Sequence, residues 1–112
     1  MDNCIFCKII NNEIPSSRIY EDEDILAFHD VSPQAPVHFL VIPKKHIPNI
    51  MELDDKDMAG KLITKAKDLA VQLGCGAKGA RFVINCKSDG GQTVDHLHIH
   101  VLGGRPLAWP PG

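Results

Sequence analysis

The stretch Asp95-His96-Leu97-His98-Ile99-His100-Val101-Leu102-Gly103-Gly104, residues 95–104, decides the fold of this chain. Apolar residues and histidines alternate along it, and a period of two predicts a strand whose successive side chains point to opposite faces. His96, His98 and His100, the histidine row, then share one face of the strand. The apolar residues share the other face, which is the buried one. We therefore expect the histidine row to look into a cleft or towards solvent.

Three imidazoles in a row suggest either a metal site or chemistry on an anion. On a strand His96 and His100 lie roughly 13 Å apart, so one ion cannot bind the whole row. At most a neighbouring pair can share a metal, with further ligands from elsewhere in the chain. The alternative is a nucleophile, a proton donor and positive charge, all of which imidazole supplies near neutral pH. Burial as a satisfied core histidine explains any one of them taken alone.

Size and charge restrict the class of protein. A chain of 112 residues with a formal net charge of −2 predicts one domain, residues 1–112. There is no basic stripe for a nucleic acid, so a small anionic ligand fits better. No apolar run reaches membrane-spanning length, and Met1-Asp2-Asn3 lacks the basic start of a secretion signal. We expect a cytoplasmic protein whose four cysteines stay reduced.

Periodicity and breakers predict the order of the elements. A short helix capped by Asn3 is followed by two short strands, a central strand, one long helix capped by Asp54, and a strand that leads through a glycine turn into the histidine strand. Their predicted positions are 3–10, 18–20, 25–28, 37–42, 54–73, 81–85 and 89–91 for the turn.

Several polar residues outside the row allow two interpretations each. Cys4 and Cys7, one helical turn apart, suit two thiolates on zinc or two buried thiols. His46 is either a surface residue or turned back towards the rest of the molecule. Asp30 suits an Asx-type turn before Ser32-Pro33, or a carboxylate that accepts hydrogen bonds from sugar hydroxyls.

The glycine turn and the C-terminal tail also allow two interpretations each. Asp89-Gly90-Gly91 is a turn signal, and the same turn can bring Gln92, Thr93 and backbone N–H groups to the histidine row to cradle a phosphate. The last eight residues either fray or dock, and the only tryptophan, Trp109, followed by two prolines, favours docking onto a partner subunit.

At this point the residues resemble the histidine triad family, and specifically its Hint branch of purine-nucleotide phosphoramidases. The resemblance covers nearly the whole chain. Its motifs are Ala27-Phe28-His29-Asp30, Ser32-Pro33-Gln34-Ala35-Pro36, Phe39-Leu40-Val41-Ile42-Pro43-Lys44-Lys45-His46, Ser88-Asp89-Gly90-Gly91-Gln92, His96-x-His98-x-His100-Val101-Leu102-Gly103-Gly104-Arg105 and Trp109-Pro110-Pro111-Gly112.

The resemblance implies an α+β fold: a five-stranded antiparallel sheet with one long and one short helix, joined across a homodimer so that each tail lies near the partner's site. It implies hydrolysis of the P–N bond of a nucleoside 5'-monophosphoramidate, such as AMP joined to a lysine side chain. His98 would attack the α-phosphorus, and water would then hydrolyse the nucleotidyl–histidine. Dinucleoside polyphosphate hydrolysis and a nucleotide-binding adaptor role are the alternatives, and the Trp-Pro-Pro-Gly ending favours the phosphoramidase.

The resemblance also assigns residues to roles. The catalytic residues implied are His98, His100, His38 and Thr93. The residues implied to bind the purine nucleotide, AMP or GMP, are Phe6, Ile9, Phe28, His29, Asp30, Val31, Asn85, Gly91, Gln92, Thr93, His98, His100 and Trp109. His98 needs one ring nitrogen unprotonated, with the other donating to a backbone carbonyl that fixes the tautomer.

Two features of this chain are not shared by all members of the family. Many Hint proteins have serine where this chain has Thr93, which keeps the hydroxyl and adds a methyl group. The cysteine pair is absent from some members. In relatives that carry it, a structural zinc is held by residues that match Cys4, Cys7, His46 and His96, and catalysis itself requires no cofactor.

Overall fold

Five antiparallel strands form a single sheet in the spatial order β1-β2-β3-β5-β4. This computed structural model describes residues 3–112, so Met1 and Asp2, which entered the expectation about a secretion signal, lie outside the described residues. The predicted α+β fold with a five-stranded antiparallel sheet is confirmed. The strands are β1 Arg18–Glu21, β2 Ile25–His29, β3 Val37–Pro43, β4 Ala80–Val83 and β5 Ile99–Gly103.

Two helices cover the sheet, and the N-cap of each lies one residue after the predicted N-cap. The short helix α1 spans Ile5–Ile10 and is capped by Cys4, not Asn3, because the Cys4 Sγ accepts from the Cys7 N–H. The long helix α2 spans Lys56–Gln72 and is capped by Asp55, not Asp54. Adjacent residues of similar capping ability are not separated by sequence alone. Within residues 3–112, none of the helices combines the length and apolar character needed to cross a bilayer.

Each face of the sheet carries its own apolar core. Helix α2 lays Leu62, Ala66 and Leu69 against one face, where Phe39 and Val101 are fully buried. Helix α1 covers the opposite face, and its apolar core contains Phe6, Ile9, Leu26, Phe28, Leu40 and Ile42. Strand β3 is therefore buried on both faces, which explains its continuous apolar run.

Two members of the histidine row are buried, and the expectation that the row could lie open to solvent is wrong for them. His96 and His98 are 0 % and 3 % exposed, because α1 packs over this face of the sheet. The alternation does hold, since Leu97, Ile99 and Val101 point into the core under α2. Ladder pairing begins only at Ile99, so the first part of the predicted histidine strand precedes β5.

A short helix replaces the turn predicted between the last two strands. Strand β4 ends at Val83, earlier than predicted, and Lys87–Gly90 form a four-residue helix, α3. Gly91 ends α3 in the left-handed conformation, with φ of 76°, and its N–H bonds to the carbonyls of Lys87 and Ser88. The glycine therefore acts as a helix C-cap, a role that the turn signal did not specify.

The two edges of the sheet differ. Edge strand β1 contains a register irregularity between Arg18 and Tyr20, which breaks the regular ladder. Edge strand β4 is regularly paired with β5 over its whole length and exposes the ring of Phe82. Within residues 3–112, β4 has no strand on its outer side. One edge is therefore irregular and the other is open.

Candidate active site

His98 is held in one tautomer at the centre of the histidine row. Its Nδ1 donates a hydrogen bond to the backbone carbonyl of His96 over 2.7 Å, so Nδ1 must carry the proton. The Phe6 ring meets the His98 ring edge-on, with centroids 5.1 Å apart. Burial holds the pKa of His98 below its ordinary value. A neutral imidazole with Nδ1 protonated has a free electron pair on Nε2, as nucleophilic attack requires.

Asp30, His38 and His100 meet at one end of the row and form what we call the aspartate cluster. The Gln34 backbone N–H donates to Nδ1 of His38 over 3.0 Å, so a neutral His38 carries its proton on Nε2. That Nε2 lies 3.0 Å from Nδ1 of His100 and 3.4 Å from Oδ2 of Asp30. When His38 donates to His100, the His100 proton lies on its outer nitrogen, Nε2.

The aspartate cluster is built for protons and not for a metal ion. Its three ligand atoms lie within 4.8 Å of one another, as a metal site would require. However, Nε2 of His38 carries a proton and offers no electron pair to an ion, because the Gln34 N–H occupies Nδ1. Burial, with His98 and His38 nearby, lowers the pKa of His100 to about 4, so this histidine is neutral at pH 7.

Cys4, Cys7, His46 and His96 meet at the other end of the row and form the cysteine cluster. The Cys4 Sγ lies 3.3 Å from Nδ1 of His96, and the Cys7 Sγ lies 3.3 Å from Nδ1 of His46 and 3.6 Å from Nδ1 of His96. In a tetrahedral zinc site the sulfur and nitrogen ligands lie about 3.5 Å apart, given Zn–S and Zn–N bonds of about 2.3 and 2.1 Å. The separations in this cluster match that geometry.

His96 has the tautomer that a metal ligand needs. Its Nε2 donates to the Pro43 carbonyl over 2.8 Å, so Nδ1 is unprotonated and faces the two thiols. Metal-binding histidines commonly hold their second nitrogen in this way. Before any metal binds, burial raises the pKa of Cys7 to about 11 and lowers that of His96 to about 4. The two sulfurs and two imidazoles therefore fit zinc in chemistry and in spacing, and binding would release the thiol protons.

The predicted nucleoside pocket is partly assembled. Phe6, Ile9 and Phe28 pack together beside the histidine row, and the Phe6 and Phe28 rings meet edge-on. Val31 is 97 % exposed and His29 is exposed at the end of β2, so these two residues border open space. Such an arrangement offers an apolar wall with one open side, which suits a flat ring.

Asp30 uses its two carboxylate oxygens differently. Oδ1 accepts the Ser32 N–H over 2.8 Å, which is the predicted Asx-type turn. Oδ2 faces His38 and His100 at 3.4 and 4.0 Å. The turn therefore fixes the carboxylate so that its second oxygen points towards the histidine row.

The loop after α3 is closed by the side chain of Gln92. Its amide oxygen accepts the Lys87 N–H, and its amide nitrogen donates to the carbonyls of Pro48 and Val94. Thr93 is exposed and borders a cleft of about 460 Å³ that also contacts Cys4 and His46. Asn85 borders a separate cavity of about 590 Å³ beside His38 and His100. Thr93 and Asn85, two of the predicted phosphate contacts, therefore border different cavities.

The C-terminal tail is bonded to edge strand β4. The Arg81 guanidinium donates to the Ala108 carbonyl over 2.7 Å, and Pro110 and Pro111 line the cavity beside His38 and His100 of the same chain. The Trp109 side chain is 82 % exposed. The tail is therefore anchored at Ala108, while its tryptophan is left free for a further contact.

Two backbone groups in these clusters had no signal in the sequence. They are the N–H of Gln34, which sets the His38 tautomer, and the carbonyl of Pro43, which sets the His96 tautomer. Backbone N–H and carbonyl groups are common to nearly every residue, so only the fold reveals which of them a side chain contacts. Arg105 helps to hold the Gln34 backbone in place, because its Nε and one terminal nitrogen donate to the Gln34 carbonyl.

Comparison with known proteins identifies relatives over nearly the full length. The family model described as "HIT domain" matches residues 11–107. An uncharacterized HIT-like protein of Synechocystis sp. is 53 % identical over 113 aligned positions, covering 99 % of this chain and 98 % of that protein. A second such protein, from Synechococcus elongatus, is 55 % identical with the same coverage.

Solved structures agree with these sequence matches. A HIT family hydrolase from Legionella pneumophila superposes with a TM-score of 0.96 at 49 % identity, covering 98 % of this chain and all of that one. A histidine triad protein from Clostridium difficile superposes with a TM-score of 0.90 at 47 % identity, covering 96 % and 95 %.

Proposed function

The chain belongs to the HIT domain family, and from this premise we propose that it is a hydrolase of the Hint branch that cleaves the P–N bond of purine nucleoside 5'-monophosphoramidates. The observation that carries the proposal is the state of His98. Its Nδ1–H is held by the His96 carbonyl at 2.7 Å, which leaves Nε2 free to attack phosphorus. A solved relative named as a HIT family hydrolase supports the general class of reaction.

The reaction has two displacements. Nε2 of His98 forms a bond to the α-phosphorus as the P–N bond breaks, and the departing nitrogen takes the Nε2 proton of His100. His100 is the partly exposed member of the row, and the water that attacks in the second displacement returns a proton to its Nε2. Water then attacks the nucleotidyl–histidine, releases the nucleoside monophosphate and restores neutral His98. His38 positions His100 through the 3.0 Å contact between their rings.

The rest of the site binds the nucleotide. Asp30 receives the ribose hydroxyls on the oxygen that the Asx turn leaves available. The apolar wall and its open side receive the purine, and the loop residues with Asn85 receive the phosphate. The residues in these roles are Phe6, Ile9, Phe28, His29, Val31, Asn85, Gly91, Gln92, Thr93 and Trp109. The Thr93 hydroxyl and the Asn85 side-chain amide are the donors that would stabilise charge developing on the phosphate, because the N–H groups of Gly91 and Gln92 already bond to carbonyls of α3.

The proposal includes zinc and a homodimer. The cysteine cluster would hold zinc through two thiolates and two imidazoles, where the ion supplies a structural cross-link and takes no part in the chemistry. Two copies would join at the open edge strand β4, which exposes Phe82, and the exposed Trp109 would contact the partner. We place this unit, residues 1–112, in the cytoplasm, because its four cysteines are all free thiols.

Intact-mass spectrometry after brief mixing with an adenosine 5'-phosphoramidate tests the proposed reaction. Wild-type protein should gain one adenylyl group, and the adduct should be absent from His98→Ala. The matched control is Ile63→Ala, which truncates an exposed side chain on α2, outside the proposed site. Nucleotide binding without adduct or turnover would contradict the enzyme and favour an adaptor role. Faster turnover of a dinucleoside polyphosphate than of the phosphoramidate would contradict the substrate class.

A further inference from the structure

His96 belongs to both the cysteine cluster and the active site. Its Nδ1 lies 3.3 Å from the Cys4 Sγ, while its backbone carbonyl accepts the Nδ1–H of His98 over 2.7 Å. We infer that a metal ion in the cysteine cluster sets the geometry of the nucleotide site, by fixing the carbonyl that holds His98. The inference rests on the proposed function of His98 and adds a second role for the cluster besides stability.

A second connection runs through α1. Phe6 lies between the two cysteines in the sequence, and its ring meets the ring of His98 at 5.1 Å and that of His96 at 5.9 Å. Cys4 is also the N-cap of this six-residue helix. Helices this short are marginal without tertiary support. An ion bound to both cysteines would hold α1, and with it Phe6, against the nucleophile.

The cluster joins three segments that are distant in the sequence. Cys4 and Cys7 come from α1, His46 follows β3, and His96 precedes β5. The His46 and His96 rings meet edge-on at 4.9 Å, and His96 is anchored to the Pro43 carbonyl at the end of β3. A metal ion in the cysteine cluster would therefore constrain α1, the end of β3 and the segment that carries His98 together.

This arrangement predicts reciprocal binding of metal and nucleotide. If the ion orders the pocket, then AMP binds more tightly to the filled protein, and by linkage the ion binds more tightly to the AMP-bound protein by the same factor. We expect a factor of about five or more, which is the lower end of couplings between linked sites. His98 should also lose its fixed Nδ1–H tautomer when the ion is removed.

The experiment uses the full chain, loaded with zinc, stripped with a chelator and refilled. AMP affinity is measured by calorimetry on each form, and zinc affinity is measured by chelator competition with and without AMP. Cobalt substituted for zinc supplies a second readout, because its visible spectrum should change when AMP is added. Nitrogen NMR of the histidines reports the His98 tautomer directly. Refilling should restore every value, which separates the effect from damage during stripping.

Variants control for loss of a buried thiol. Cys7→Ser should lose zinc and weaken AMP binding, while Cys75→Ser, which removes a buried cysteine outside the cluster, should change neither. Cys7→His keeps a ligand at this position and should retain zinc and tight AMP binding, so that weak AMP binding in Cys7→Ser is assigned to the lost ion and not to a damaged fold.

Equal AMP affinity in filled and stripped protein, with zinc affinity independent of AMP, would overturn the coupling. Failure to bind zinc at all would overturn it as well. Neither result touches the proposed reaction, which the His98 adduct tests separately. A chain that shows the coupling but forms no adduct would retain the inference about AMP and lose the phosphoramidase.

Discussion

The two ends of the histidine row contain similar side chains but are prepared for different chemistry. In the cysteine cluster the proton of His96 is drawn to Nε2 by the Pro43 carbonyl, which leaves an electron pair for a metal. In the aspartate cluster the Gln34 N–H takes the electron pair of His38 at Nδ1, which leaves a proton at Nε2 for transfer. The difference teaches that one backbone group per histidine decides between a ligand and a proton donor.

The largest effect should come from His98, which lies between the two clusters. His98→Ala removes the nucleophile, and we expect turnover of an adenosine phosphoramidate to fall by about a thousandfold or more, as when other catalytic nucleophiles are removed. Steady-state kinetics on the variant and on Ile63→Ala, an exposed position of α2 outside the site, provide the measurement and its control. Turnover within tenfold of the wild type would contradict the assignment of His98 as the nucleophile.

The next effect tests the proton side of the comparison. His38→Ala removes the ring that positions His100, and kcat should fall by about a hundredfold for a substrate whose amine must be protonated to leave. A phosphate ester with an acidic phenol as leaving group needs no such proton, and its hydrolysis should change far less. An equal loss with both leaving groups would contradict the assignment of the aspartate cluster to proton transfer.

Metal removal tests the assignment of the cysteine cluster to zinc binding. At a free zinc concentration about a hundred times the dissociation constant, binding contributes about 3 kcal/mol to the free energy of unfolding, so stripping should lower Tm by about 10 °C. Calorimetry with metal analysis measures both quantities. One equivalent of zinc is expected, in the wild type and in Asp30→Asn alike. A second equivalent that disappears in Asp30→Asn would show that the aspartate cluster also binds metal and would remove the contrast.

The smallest effect concerns pH and a single ring. The folded-state pKa of His100 is about 4, against an ordinary value of 6.5. The unfolded chain binds this proton first, so the contribution of neutral His100 is complete above pH 6.5 and is lost as the pH falls towards 4, by about 2.5 kcal/mol between pH 7 and 4.5. Urea unfolding at pH 7 and 4.5 should show a flatter dependence in His100→Asn. An unchanged slope would mean that His100 is protonated in the folded state.

Periodicity in the sequence predicted the individual elements well, whereas the five-stranded antiparallel arrangement came from the resemblance. Strand β3 and helix α2 follow from a continuous apolar run and from helical spacing, and both were predicted within two residues of their observed ends. The burial of His96 and His98 was missed, because it depends on where α1 packs, which no local pattern encodes. The short helix α3 was missed because Gly91 serves equally well in a turn and at a helix end.

The candidate site was predictable to a similar limit. The sequence suggested the cysteine pair as ligands, and the resemblance added His46 and His96, which the structure brings together with them. It also suggested that a carbonyl fixes the tautomer of His98, and the His96 carbonyl is found there. The backbone partners of His38 and His96 were out of reach, because they arise from tertiary packing.

The unequal borders of the sheet limit how far copies of this protein can grow together. Growth into a fibre requires that one border of each copy accept the other border of the next. The irregularity between Arg18 and Tyr20 makes the β1 border a poor template, so only β4 can accept a neighbour. In the proposed homodimer, association through β4 would consume the one receptive border that residues 3–112 offer in each copy. A local defect in one strand would thereby keep the particle finite.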